Sequence, residues 1–245
     1  MRNIIILLLF IPYQAHANNI LLIGDSHSSG IFGKTLHQLL SQEFQQVTTL
    51  GHASSAPIDW LNKDAIWHSG GVFHQLYRNG QHYYNPRPLS HWSQKALVPY
   101  LPQVLANNAI HNSWRRAIKY PVTANIVVIE LGANDARAIS NQSGMINPEE
   151  YQIRGNAITQ LIKTVHATGA RCIWIGPPNG SKKPPANQKI LYQFLTKHIQ
   201  SQCTFMNSNH YKVLGCDGYH FNCAKERYKG VLWAKEAFNF IIKNI

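Results

Sequence analysis

A serine near the start of the chain and a histidine near its end have the residue types that acyl transfer needs. Ser26 lies in Gly24-Asp25-Ser26-His27-Ser28, and His220 lies in Asp217-Gly218-Tyr219-His220. A serine hydroxyl is a poor nucleophile until a base removes its proton, and the base must be oriented by a third group. The three-residue spacing allows Asp217 to face the Nδ1 atom of His220 and leaves Nε2 free for Ser26. We predict Ser26 as nucleophile, His220 as base and Asp217 as its orienting partner.

Each of these residues also has an ordinary structural interpretation. Ser26 can cap a following helix, and Asp217 can form a turn. Two other motifs are excluded, because Ser28 stands where Gly-x-Ser-x-Gly needs its last glycine and where a phosphate-binding loop over residues 28–35 needs its first. The catalytic interpretation therefore requires the tertiary structure to bring Ser26 and His220 together.

A third polar segment, Gly132-Ala133-Asn134-Asp135, could supply a donor to the oxyanion of a tetrahedral intermediate. It follows an apolar run over residues 125–131, just as Ser26 follows the apolar run 19–23. We therefore predict that Asn134 lies at the same edge of a sheet as Ser26. An asparagine after a strand is also common in turns, and this alternative stays open.

Short apolar strands alternate with amphipathic helices along most of the chain. We predict strands over residues 19–23, 47–50, 125–131, 171–175 and 203–206, and helices over 32–44, 148–168, 188–200 and 224–242. This alternation predicts an α/β protein with a parallel sheet covered by helices on both faces, and such folds gather their chemistry at the carboxyl ends of the strands. Residues 56–120, rich in Trp, Tyr and His, are predicted as one long insertion with a helix over 105–118.

Together the three polar motifs resemble those of the SGNH hydrolase superfamily, also called the GDSL-type esterases. Gly24-Asp25-Ser26 resembles its nucleophile block, Gly132-x-Asn134-Asp135 its third block and Asp217-x-x-His220 its last block. The resemblance implies a flavodoxin-like three-layer α/β/α sandwich and a serine esterase that needs no metal or organic cofactor. It also implies that Asn134 and the backbone N–H of Ser26 donate to the oxyanion.

The second block of the superfamily matches less well. It usually places a glycine after the second strand, where a further backbone N–H donates to the oxyanion. Gly51 is the only glycine in residues 50–57, but the spacing puts Ser54 at the donor position. Both residues are kept as predicted oxyanion donors.

The N-terminus and the cysteines predict an exported protein. Arg2, an apolar run over residues 4–11 and Ala15-His16-Ala17 are typical of a signal peptide that is cleaved near Ala17, although the apolar run could also be a buried strand. The expected organisation is a signal peptide over residues 1–17 and a single domain over 18–245. Four cysteines in such a chain favour disulfides, and we favour the two pairs Cys172–Cys203 and Cys216–Cys223. The rival interpretation is a metal site at Cys216, His220 and Cys223, whose spacing suits metal ligands.

The formal net charge of +12 favours anionic partners. The basic residues are scattered without a groove-binding motif, so we predict no nucleic-acid partner and at most peripheral contact with an anionic envelope polymer or membrane surface. The predicted substrate is a small-molecule ester or an O-acetylated glycan. Export, positive charge and the aromatic insertion favour an O-acetylated glycan such as peptidoglycan. The alternatives are a lipase, lysophospholipase or thioesterase, an O-acetyltransferase with the same triad, and a glycan-binding module. The sequence does not predict an oligomeric state.

Overall fold

The structure of the protein, a computed structural model, describes residues 19–67, 71–77, 82–85, 96–106, 122, 124–199, 201–215, 217–221 and 223–245. Between residues 66 and 97 the description covers the backbone alone. The predicted signal peptide over 1–17 and most of the predicted helix over 105–118 lie outside the described residues.

Strands and helices alternate as the sequence predicts, with boundaries that shift by a few residues. The strands are β1 (Asn19–Gly24), β2 (Gln46–His52), β3 (Ile66–Trp67), β4 (Gly71–Tyr77), β5 (His82–Asn85), β6 (Ala96–Leu97), β7 (Ile126–Glu130), β8 (Arg171–Ile175), β9 (Asn179–Gly180), β10 (Thr204–Met206) and β11 (Lys212–Val213). The helices are α1 (Ile31–Glu43), α2 (Leu101–Leu105), α3 (Ala136–Ile139), α4 (Pro148–His166), α5 (Pro185–Ile199) and α6 (Arg227–Lys243).

The described residues form one large sheet in the order β10-β8-β7-β1-β2-β4-β5. From β10 to β2 all neighbours are parallel, and this order is that of flavodoxin-like folds. Strands β4 and β5 are antiparallel and come from the predicted insertion, in which the sequence predicts no strand, so they extend the predicted parallel sheet at this edge. Their pairing covers the backbone of β2, which would otherwise be an open edge.

Both faces of the parallel strands are buried under helices. Along β1, Leu21 and Ile23 belong to one apolar core, and Ile20 and Leu22 belong to the other. The first core is covered by α4 and α5, and the second by α1 and α6. This alternation explains why β1 is apolar at every position from Ile20 to Ile23, and it confirms the predicted sandwich of three layers.

Two further observations concern the covalent structure and the helices. A disulfide joins Cys172, at the start of β8, to Cys203, directly before β10, as predicted. The second predicted pair includes Cys216, which lies outside the described residues, so that pairing stays a prediction. None of the helices within the described ranges is both long and apolar enough to span a bilayer.

Candidate active site

The fold brings Ser26 and His220 into direct contact at the carboxyl edge of the sheet. Ser26 follows β1, and His220 lies in the loop between β11 and α6. The Oγ atom of Ser26 is 2.7 Å from Nε2 of His220. The Nδ1 atom of His220 is 2.6 Å from a carboxylate oxygen of Asp217. The three predicted catalytic side chains therefore form a continuous hydrogen-bonded chain.

Asp217 determines which nitrogen of His220 carries the proton. Partial burial opposes ionisation, but hydrogen bonds from the His220 ring and from the backbone N–H groups of Tyr219 and His220 lower the pKa of Asp217 to about 2. An ionised Asp217 can only accept, so Nδ1 of His220 must donate to it. The Nε2 atom is then free to accept the hydroxyl proton of Ser26, as a general base must.

The loop that carries Ser26 is held by a buried carboxylate, Asp25. Its Oδ1 atom accepts the backbone N–H of His27 at 2.9 Å, and its Oδ2 atom accepts the side-chain amide of Asn134 at 3.2 Å. The backbone N–H of Asp25 donates to the carbonyl of Glu130, at the end of β7, at 3.2 Å. Asp25 thus ties the nucleophile loop both to the neighbouring strand and to the Asn134 segment.

A second buried acid, Glu130, lies beneath the same loop and accepts the hydroxyl of Ser28 at 2.9 Å. Burial and the nearby Asp25 carboxylate raise the pKa of Glu130 well above its ordinary value. Burial also raises the pKa of Asp25, to about 6, although the His27 N–H and the Lys183 ammonium oppose the rise. Burial and the mutual repulsion of the two carboxyl groups thus both favour the protonated form of Glu130.

Asn134 reaches the same edge of the sheet, as predicted. Its side-chain amide donates to Asp25 and, at 2.9 Å, to the backbone carbonyl of Ser55. Both amide hydrogens therefore already have acceptors, since an amide nitrogen carries two. To act as an oxyanion donor, Asn134 must share one of these hydrogens with the substrate.

Gly51 and Ser54, the two predicted oxyanion donors of the second block, lie in different parts of the fold. Gly51 is inside β2, in register with Gly24 of β1 and Val72 of β4. A Cβ atom on Gly51 would come within 2.7 Å of the Ser29 hydroxyl, so this glycine allows the nucleophile loop to pack on β2. Ser54 lies in the turn after β2 and has a positive φ of 66°. Both residues stay predicted oxyanion donors, and the absence of a side chain at Gly51 also allows the close approach of Ser29.

Several residues of the site were not singled out in the sequence. His27 is buried, with its ring centroid 5.3 Å from that of His220 and 5.4 Å from that of Trp233, and burial lowers its pKa well below the ordinary value, so the ring is neutral. Asp135 is buried against Arg154 of α4 at 2.7 Å, which holds the Asn134 turn on the helix. Glu130 could have been noticed, since it is an acid at the end of the apolar strand β7.

The rival interpretation of a metal site involves Cys216, which lies outside the described residues. Within the described residues no cluster of three or more metal-binding side chains occurs. Both ring nitrogens of His220 are engaged by Ser26 and Asp217.

The sequence matches no protein-family model and no curated protein. Solved structures are similar in fold. A putative arylesterase from Agrobacterium tumefaciens str. C58 is 12% identical over 93% of this chain and 100% of its own, with a TM-score of 0.52. The M. smegmatis aryl esterase is 16% identical over 91% of this chain and 100% of its own, with a TM-score of 0.50. An acetyl xylan esterase from Butyrivibrio proteoclasticus is 11% identical over 93% of this chain and 64% of its own, with a TM-score of 0.51.

The fold is therefore an α/β/α sandwich similar to that of these esterases. The resemblance that the three polar motifs indicate is confirmed at the level of the fold. The sequence identities are too low to carry function, so the chemistry must be argued from the site itself.

Proposed function

We propose that this protein is a serine ester hydrolase that forms an acyl-enzyme on Ser26. The observation that carries the proposal is the hydrogen-bonded chain from Ser26 through His220 to Asp217, with distances of 2.7 and 2.6 Å. A side chain from the start of the chain and two from near its end meet in the order that nucleophilic acyl transfer requires. A helix cap or a turn residue would need no such chain.

The reaction follows from this geometry. Ser26 Oγ attacks the ester carbonyl carbon while its proton passes to Nε2 of His220, and Asp217 stabilises the imidazolium that forms. The oxyanion accepts hydrogen bonds from the Ser26 N–H, the Asn134 amide and the Ser54 N–H. As the intermediate collapses, His220 returns the proton to the leaving alcohol. Water then attacks the acyl-enzyme in the same way and releases the acid.

The proposed substrate is an O-acetylated carbohydrate, such as peptidoglycan or another envelope glycan. A similar fold occurs in an acetyl xylan esterase, so a sandwich of this kind can accommodate an acetyl ester of a sugar. The Cys172–Cys203 disulfide supports export, because disulfides persist in oxidising compartments. Export is further supported by the predicted signal peptide over residues 1–17. Most of the aromatic side chains of the insertion lie outside those described, so their proposed contact with sugar stays a prediction.

The test is acetate release from an acetylated glycan by the wild type and by Ser26→Ala. We expect the variant to lose at least about 10³-fold in rate, since removal of the nucleophile leaves only binding and oxyanion stabilisation. Ser143→Ala, which changes an exposed loop hydroxyl, is the matched control and should keep the wild-type rate. Equal rates for Ser26→Ala and the wild type would refute the proposal. Acetate release that appears only with an added sugar acceptor would identify a transferase instead.

A further inference from the structure

Three basic residues lie together beside the catalytic histidine. The guanidinium of Arg137 donates to the hydroxyl of Tyr219, the chain neighbour of His220. The Nζ atom of Lys182 lies 5.7 Å from the centre of the Tyr219 ring, and the Arg137 guanidinium carbon lies 5.3 Å from it. Lys183 donates through Nζ to the carbonyl of Ala133 at 3.0 Å. We call Arg137, Lys182 and Lys183 the cationic cluster.

The cationic cluster borders the catalytic groups directly. The centres of the Tyr219 and His220 rings are 6.4 Å apart. The backbone N–H of Lys182 donates to the carbonyl of Gly218, at 3.4 Å, so the segment with the two lysines is attached to the histidine loop. Ala133, which Lys183 contacts, directly precedes Asn134. The cluster therefore contacts the chain neighbours of both the base and the predicted oxyanion donor.

The charges of the cluster are not balanced at the surface. Among the ion pairs within the described residues, none includes a member of the cluster. Lys183 faces the buried Asp25 carboxylate, whereas Arg137 and Lys182 are exposed. Burial lowers the pKa of Lys183 to about 8, and the nearby Arg137 charge adds to this effect. Arg137 and Lys182 have no carboxylate partner among the described ion pairs, so their charges repel each other and an anionic ligand would relieve that repulsion.

We propose that the cationic cluster binds a carboxylate of the substrate, so that the preferred substrate is an acetyl ester of an acidic glycan. This inference rests on the proposed function. An acetyl group carries no charge, so an anion in the substrate must belong to the sugar. The sugar is also the leaving alcohol, which must lie beside His220 to receive its proton. The planar guanidinium of Arg137 matches the geometry of a carboxylate.

The test compares two acetylated sugars, methyl glucuronide and methyl glucoside, which differ in a carboxylate or a hydroxymethyl group at carbon 6. We expect wild-type kcat/KM to be at least about tenfold higher for the acidic ester, as for one charge-assisted contact. The double substitution Arg137→Gln and Lys182→Gln should reduce the acid-to-neutral ratio to about one, mainly through KM. Raising NaCl from about 50 to 500 mM should lower the wild-type ratio, because salt screens the attraction.

Lys163→Gln is the matched control. Lys163 is an exposed cation in the last turn of α4, which leads to the start of β8 at the edge of the sheet opposite the site. Its removal should leave the acid-to-neutral ratio unchanged. A wild-type ratio near one, or a ratio that the double variant keeps, would overturn the inference while the hydrolase proposal stands. The inference would also be overturned if the protein hydrolysed other esters but neither of the two acetylated sugars. A Ser26→Ala variant that hydrolyses both sugars at the wild-type rate would instead refute the proposed function.

Discussion

The two loops that form the site are held in different ways. The Ser26 loop is surrounded by buried polar residues, since Asp25, His27 and Ser28 are almost fully inaccessible. The Asp217–His220 loop is much more open, with 43% of the Asp217 side chain and 27% of the His220 side chain exposed. One further anchor of that loop is Glu226, whose carboxylate accepts the N–H groups of Leu214 at 3.1 Å and Gly215 at 2.5 Å.

Because the two loops are held differently, we expect changes in one to affect mainly the stability of the fold and changes in the other to affect mainly the rate. The nucleophile is placed by the sheet and by acids buried beneath it, so changes there alter the folding free energy. The base is placed by a loop whose side chains face solvent, so changes there alter the rate and leave the fold nearly unaffected. The following predictions test this contrast.

We expect the largest effect from His220→Ala, which removes the base. The rate of ester hydrolysis should fall at least about 10³-fold. The free energy of unfolding should change by less than about 1 kcal/mol, because the ring is partly exposed and outside both cores. Kinetics and urea denaturation measure the two quantities. His210→Ala, which alters an exposed histidine paired with Glu236, is the control and should change neither. A large loss of stability in His220→Ala would contradict the contrast.

Glu130→Gln should change the pH dependence of stability rather than the rate. The folded state raises the pKa of Glu130, so the folded chain holds a proton that the unfolded chain releases above pH 4.5. The contribution of Glu130 to the free energy of unfolding of the wild type therefore falls as pH rises, by up to about 1.4 kcal/mol per pH unit. Glutamine is neutral and can still accept from Ser28, so the variant should gain stability over the wild type as pH increases above 4.5.

Urea denaturation of both proteins between pH 5 and pH 8 tests this prediction. In the wild type Asp25, whose pKa is raised to about 6, also lowers the free energy of unfolding as pH rises from its ordinary pKa to 6. Glu149→Gln, at an exposed position in the first turn of α4, should follow the wild-type curve. Parallel curves for Glu130→Gln and the wild type would show that Glu130 is ionised in the fold.

We expect the smallest effect from Glu226→Gln. The amide has one acceptor oxygen for the N–H groups of Leu214 and Gly215, and it lacks the charge that strengthens both bonds. We expect kcat to fall about tenfold and the free energy of unfolding to fall by about 1 kcal/mol. Glu236→Gln, at an exposed position of α6, should leave kcat unchanged. An unchanged kcat in Glu226→Gln would show that other contacts hold the histidine loop.

The predictions that depended on local pattern agree best with the structure. Strands β1 and β8 and helices α1 and α4 follow from apolar periodicity, because each buries a face that the residue spacing reveals. The same reasoning missed β4 and β5, whose pairing with β2 depends on backbone hydrogen bonds at an edge. It kept both Gly51 and Ser54 as oxyanion donors and did not reveal the close approach of Ser29 to Gly51, which is visible only in three dimensions.

The sequence by itself determined the α/β architecture and the residue types for acyl transfer, because apolar periodicity and short motifs are local properties of a chain. Only the tertiary structure decided that Ser26 and His220 touch, that Asp25 and Glu130 share a buried site, and that Arg137 and Lys182 border the base. The physical reason is that hydrogen bonds, desolvation and charge repulsion depend on distances between atoms. The topology of the sheet sets those distances between residues that are far apart along the chain.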